Sequence, residues 1–260
     1  MTNVFSIPYQ DNLKLKRVVE GISSDERLLS MWKCSNVMAI DRLGYTDHGP
    51  THMKIVANSA LRMLRILVKH GVVPSIVKDH GMANDDAEVV VVLGSILHDV
   101  GMVVARKGHE TYSVMLASVI VERLLAGIYG EGERTVILSE VLHAIATHED
   151  PNQPLTVEGG IVKVADALDM EKGRARIPFE AGRVDIHSVS ALSIEKVSLQ
   201  EGTGAIPIEV RILMANPAGI FQIDQLLKPR IENSGLQKHI HVVAEVLEGE
   251  QRKILQKYEF

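Results

Sequence analysis

Apolar positions recur with helical spacing from Asn12 to about Glu171, and the period shortens towards that of a strand after Gly182. Val18, Leu28, Leu29, Met31 and Trp32 mark short amphipathic helices around the polar turn Ser23-Ser24-Asp25. Pro50 suits the first turn of a longer helix, with Ile55, Val56, Ala60, Met63, Leu64 and Leu67 as its apolar stripe and Gly71 as its end. Residues 72–84 read as a loop or a short helix. The run from Val89 to Leu97 is apolar on nearly every side, which predicts a buried helix starting near Asp86, with Asp85 and Glu88 resembling a capping box. Thr111 to Ile128 reads as a long helix with Met115, Val119 and Leu124 inward. Arg134 to Thr147 and Gly160 to Met170 read as two more.

Beyond Gly182, Ala191 to Leu199 and Ile206 to Met214 alternate like strands about the turn Gly202-Thr203-Gly204. Pro217 to Asn233 reads as a helix with Ile220, Ile223, Leu226, Leu227 and Ile231 on one side. His239 to Leu247 and Arg252 to Tyr258 read as two further strands joined by Glu248-Gly249-Glu250. The expected fold is therefore mainly α: a helical body over residues 1–182, then a small α+β domain of ββαββ order over 183–260. Its sheet needs one face covered by the single helix and the other by the body or a second subunit, which leaves room for a homo-oligomer through the C-terminal domain.

Composition narrows the partners. A hydrophobic content of 46% with 23% charged residues is ordinary for a chain that buries a full core. A formal net charge of -5 argues against extended nucleic acid, which wants a basic surface. Cys34 is the only cysteine, so an intramolecular disulfide is excluded and a reducing compartment fits. The N-terminal stretch lacks the continuous apolar core of a signal peptide, and no apolar run is long enough to span a bilayer. No membrane partner is expected, and the cytoplasm is the expected compartment.

The chemistry concentrates at helix ends. His52 lies in the first turn after Pro50, His98 and Asp99 close the Val89 helix, His109 precedes the Thr111 helix, and His148 ends the Arg134 helix. Asp166 sits inside Lys163-Val164-Ala165-Asp166, where a carboxylate is expensive without a partner. A bundle core commonly draws ligands from facing helices in this way.

His52, the adjacent His98-Asp99 and the distant Asp166 resemble the H…HD…D signature of the HD superfamily of metal-dependent phosphohydrolases, over roughly Thr46 to Met170. His109 and His148 are similar to the extra histidines of the dinuclear HD subgroups, such as the HD-type diadenosine tetraphosphate hydrolases and the HD-GYP cyclic-dinucleotide phosphodiesterases. Glu149-Asp150-Pro151-Asn152 follows His148 and no GYP-like sequence occurs, so the cyclic-dinucleotide substrate does not carry over. The resemblance implies an HD-type helical bundle with metal ligands His52, His98, Asp99, His109, His148 and Asp166. The implied function is cleavage of a phosphate ester or anhydride of a small, nucleotide-like phosphorylated substrate by metal-activated hydroxide.

Those residue types suit the reaction. A divalent cation neutralises phosphate oxygens and brings the pKa of bound water towards neutrality, and two ions can share one hydroxide. A carboxylate has two oxygens, so Asp99 is assigned as the bridge, with His52, His98 and Asp166 at one ion and His109 and His148 at the other. A His/carboxylate set without thiolate suits Mn, Fe, Co or Ni, with Mg and Zn also admissible.

His48 stands one helical turn before His52, and the cyclic-nucleotide phosphodiesterases look similar here, with a proton-donating histidine. The expectation is that His48 protonates the leaving oxygen, against the alternative of a loop histidine bonding Asp47. Lys163, Arg174 and Arg176 are candidates for phosphate binding, against surface ion pairs and a solvated charge run; Asp169 could contact phosphate or orient a ligand. Phosphodiester and phosphomonoester substrates remain equally open. The rival function is a non-catalytic metal- or nucleotide-binding regulatory module.

Overall fold

The computed structural model describes residues 6–173, 186–247 and 257–260. Its body is helical: α1 (Leu13–Ser24), α2 (Glu26–Asn36), α3 (Pro50–Lys69), α4 (Ser75–His80), α5 (Asn84–Leu97), α6 (His109–Leu125), α7 (Glu131–Ala146) and α8 (Val157–Ala167). Short polar side chains start several of them. Asn12 accepts from Leu15 N, Asp25 from Leu28 N, and Thr156 from Gly159 N, each satisfying a backbone donor that the first turn leaves unpaired.

α5 runs through the centre, packed on α3, α7, α8 and α1. Val89 through Leu97 are all buried, which explains the lack of a polar stripe. Two details set its position. Trp32 Nε1 donates to Ile96 O at 3.0 Å, tying α2 to the last turn of α5. At Gly94 an added Cβ would lie 3.1 Å from Val162 and 3.3 Å from Ala144, so the glycine lets α7 and α8 approach closely.

The expected cap of α5 is corrected by one residue. Asp86, not Asp85, turns back onto the chain, its carboxylate accepting from Ala83 N at 2.9 Å. Glu88 is spent elsewhere, taking both nitrogens of the Arg65 fork at 2.6 and 3.1 Å. The phase of α6 also differs. Met115 and Val119 are about two-thirds exposed, while His109, Ser113, Ala117, Ile120, Val121 and Leu124 are buried. His109 opens that helix and must face inward, so the buried row follows from it at helical spacing.

The tail forms one four-stranded sheet in the order β1 (Ile194–Glu201), β2 (Ile208–Met214), β3 (Ile240–Val246), β4 (Lys257–Glu259). β1–β2 and β3–β4 pair antiparallel, whereas β2–β3 pair parallel. A parallel pair needs a crossover, and residues 217–232 supply it as a helical run. After a short helix, Ile186–Ala191, the ββαββ order expected from sequence is the order observed, with 248–256, the expected turn and start of the last strand, outside the described residues. Ile208, Val210, Ile212 and Met214 alternate inward along β2, and Ile223, Leu227 and Ile231 of the helical run are buried with them. Leu226 departs from the expected row: it is 44% exposed. α3 meets β1 and β2, and α8 meets the crossover helix, so the tail packs on these two helices of the body. Among the described residues, no helix is long and apolar enough to cross a membrane.

Candidate metal centre

Six side chains from five places in the body converge. His52 comes from the first turn of α3, His98 caps the C-terminal end of α5, Asp99 follows it, His109 opens α6, His148 lies just beyond α7, and Asp166 is in the last turn of α8. Gly101 makes the convergence feasible. A Cβ there would fall 2.1 Å from His109 O and 2.5 Å from Ser113 N, so only glycine lets the turn after Asp99 rest on the start of α6. Gly101 N donates to Ser113 Oγ at 2.8 Å and fixes that contact.

The donor atoms fall into two clusters that share Asp99, and a third triad, His98, His148 and Asp166, links them. Asp99 Oδ2 stands 3.5 Å from His52 Nε2 and 3.3 Å from His98 Nε2, while Asp166 Oδ1 stands 3.3 and 3.5 Å from the same nitrogens. Asp99 Oδ1 points the other way, 2.8 Å from His109 Nε2 and 3.7 Å from His148 Nε2. These groups could hold metal ions, and the assigned bridge, Asp99, is the residue whose two oxygens face different clusters.

The opposite ring nitrogens explain the aim. His98 Nδ1 lies 2.7 Å from Ser95 O, His148 Nδ1 2.7 Å from Ile145 O, and His109 Nδ1 3.1 Å from Arg106 O. His52 Nδ1 lies 2.6 Å from Asp169 Oδ2, which gives Asp169 the orienting role. For His52, His98 and His148 the acceptor at Nδ1 puts the proton there and leaves a lone pair at Nε2, the arrangement metal-ligating histidines use, whereas His109 Nδ1 also meets the Arg106 guanidinium at 3.0 Å. Two pairs of such nitrogens then face each other, His52 with His98 and His109 with His148, both at 3.2 Å. Facing lone pairs repel unless a proton or a metal cation joins them. Donors around an ion with bonds of about 2.1 Å stand roughly 3 to 3.4 Å apart, so the residues fit a cation.

Electrostatics agree. Burial opposes a charge on His98, but Asp99 and Asp166 outweigh it and push His98 up to about 10. Burial works against both carboxylates, yet the imidazoles around them hold Asp99 and Asp166 well below the usual carboxylate range. His148, buried with fewer compensating contacts, is pushed down. The cluster demands positive charge, and a proton on His98 supplies part of it.

The other expected residues divide. His48 lines a cavity of about 270 Å³ that opens beside Asp99 and Asp166. Its Nδ1 lies 2.7 Å from Thr46 O and its Nε2 3.8 Å from Asp99 Oδ2. Asn36 seats that loop by accepting from His48 N at 2.9 Å. Lys163 points away from the cavity: fully buried, its ammonium meets Asn152 O at 2.9 Å, Thr147 O at 3.3 Å and Asp150 Oδ1 at 2.9 Å. It holds the loop after His148, which departs from the expectation that it binds phosphate. Arg174 and Arg176 lie outside the described residues.

The residue that sequence reasoning missed is Arg230, in the tail. Its guanidinium donates to His148 O and stands 3.4 Å from Asp166 Oδ2, touching ligands of both clusters. Gln222, Leu226 and Arg230 all line the cavity. Their four-residue spacing forms one helical row, and the unexpected exposure of Leu226 belongs to it.

The HD domain family matches residues 51–171, the span that carries all six converging side chains. The chain belongs to the HD superfamily. It is also 45% identical over 231 residues to the uncharacterized protein MJ1020 of Methanocaldococcus jannaschii, covering 89% of each chain. That coverage extends past the HD region into the tail. No solved structure matches the chain.

Proposed function

We propose that this protein is a metal-dependent phosphohydrolase that cleaves a phosphate ester or anhydride of a small nucleotide-like substrate. The observation carrying the reading is the pair of ligand clusters joined by the two oxygens of Asp99 at the floor of a cavity. His52, His98, Asp166 and Asp99 Oδ2 would hold one divalent ion, and His109, His148 and Asp99 Oδ1 a second. Bound ions would neutralise the phosphoryl oxygens and acidify the attacking water. The donor set suits Mn, Fe, Co or Ni, with Mg and Zn admissible.

The chain's own side chains do the rest. Asp169 keeps His52 in the ligating tautomer, and the carbonyls of Ser95 and Ile145 do so for His98 and His148. His48 stands at the cavity wall with Nε2 directed at the centre and Nδ1 held by Thr46 O. That position suits a proton donor to the leaving oxygen. The experiment is metal analysis of the purified protein with a phosphoester and nucleotide panel, run beside Asp99→Ala. Both ions should be lost in the variant, with turnover down by more than about a hundredfold, beyond the loss typical for residues that only support a ligand. Activity surviving in Asp99→Ala overturns the mechanism, and bound metal without turnover on any phosphoester leaves the non-catalytic module.

A further inference from the structure

Arg106, from the turn before α6, and Arg230, from the tail, both line the cavity. Both lean on one carboxylate. Glu149 Oε1 is 3.6 Å from Arg106 Nη2, and Glu149 Oε2 is 3.3 Å from Arg230 Nη2. Charge-assisted hydrogen bonds close to about 2.7–2.9 Å, so neither contact is a tight fork. Arg230 stands 3.4 Å from Asp150 and 3.4 Å from Asp166, equally loose, while its one close bond goes to the carbonyl of His148. Glu149 Oε1 also lies 4.0 Å from His109 Nε2, at the edge of the second ligand cluster. A planar anion with two oxygens therefore sits between two guanidiniums beside a metal-ligand cluster, where a phosphoryl group would be recognised.

We propose that Arg106 and Arg230 form a phosphate seat whose resting occupant is the Glu149 carboxylate, displaced when a terminal phosphate enters. This rests on the reading of the centre as a phosphate site and narrows its substrate class. Two guanidiniums in addition to the ligand clusters match the double charge of a phosphate monoester better than the single charge of a diester. The cavity of about 270 Å³ is compact, and Met170, Ala191 and Leu226 give it an apolar wall for the rest of a small substrate. Arg230 comes from outside the matched HD region, so the tail completes the site.

The test is calorimetric titration of the full-length protein with inorganic phosphate at matched, measured manganese content. Arg106→Ala and Arg230→Ala should each weaken phosphate binding by about 10- to 100-fold, the range for a lost charged hydrogen bond. Arg230→Lys should recover part of that loss. Glu149→Gln should tighten binding severalfold, because the internal competitor loses its charge. A structural ion-pair strap predicts lower thermal stability in all three sites and unchanged phosphate affinity, and that result overturns the proposal. So does failure of the wild type to bind phosphate, loss of manganese in Glu149→Gln, or dimethyl phosphate binding as tightly as inorganic phosphate. Should the affinity pattern hold while no phosphoester is hydrolysed, the seat stands and the enzyme reading falls. Hydrolysis unaffected by either arginine variant gives the reverse.

Discussion

His52 and His109 each enter the centre from the start of a helix, yet their far ring nitrogens meet different partners. His52 Nδ1 is held by the Asp169 carboxylate at 2.6 Å, whereas His109 Nδ1 faces the Arg106 carbonyl at 3.1 Å with the Arg106 guanidinium also 3.0 Å away. A carboxylate behind an imidazole raises its basicity and fixes its ring more firmly than a carbonyl does. The first cluster also gathers four donor atoms and two carboxylates, the second three donors and its share of Asp99, with Asp166 within 4.8 Å of His148. The difference teaches a division of labour. On the proposed reading, one half would retain a cation and the other would leave more coordination positions for substrate, with arginines at its edge.

Two variants break the comparison from opposite sides. Asp169→Asn should weaken binding at the first cluster by about 10- to 100-fold, the usual cost of losing a ligand's supporting partner. His109→Ala should abolish the weaker binding event and leave the tighter one within severalfold. Calorimetric titration of metal-free protein with manganese resolves the two events. Loss of both in His109→Ala, or an Asp169→Asn effect confined to the weaker event, would show that the halves are not distinct in this way.

A smaller effect follows from protonation. In metal-free protein His98 is raised from 6.5 to about 10, so its contribution to stability is complete below pH 6.5 and disappears as pH climbs through 10. Asp99 and Asp166 are depressed, so their contribution is complete above their unfolded values near 3.8 and disappears on acidification through the lower folded values. Thermal melts of metal-free protein should therefore fall between pH 6.5 and 10. Saturating manganese should flatten that alkaline limb, since the ion replaces the proton. An alkaline limb identical with and without metal would separate His98 from the cation site.

Much of this was legible in residue order. Five of the six converging side chains lie at or beside helix ends that the hydrophobic period locates, the resemblance to the HD signature joins Asp166 to them, and the ββαββ order of the tail follows from its alternation and turns. What escaped depended on three dimensions. Met115 and Val119 look like an inward stripe until His109 fixes the phase of α6. Arg230 carries no motif and sits in a segment whose apolar residues advertise a core. Only the packing of the crossover helix on α8 brings its guanidinium to Asp166. Lys163 erred in the opposite direction. Proximity to Asp166 in sequence suggested phosphate, but on a helix a residue three positions earlier can face a neighbouring loop, and Lys163 does.

That loop supplies the smallest prediction. Lys163 grips Thr147 O, Asn152 O and Asp150, all flanking His148, so it supports the second cluster without meeting the cavity. Lys163→Met preserves length and apolar burial while removing the ammonium from Thr147 O, Asn152 O and Asp150, of which Asp150 keeps the Asn233 amide at 2.8 Å. The expected cost is about 1.5–3 kcal/mol in denaturant unfolding, the range for hydrogen bonds from a charged donor. Any weakening of metal should fall on the second event, since His52, His98 and Asp166 are braced elsewhere. Phosphate affinity at matched metal content should stay within about twofold. Weaker phosphate binding with unchanged stability would return Lys163 to the substrate. The predicted pattern instead makes the weaker half of the centre depend on a loop clasped by Lys163 from the body and by Arg230 from the tail.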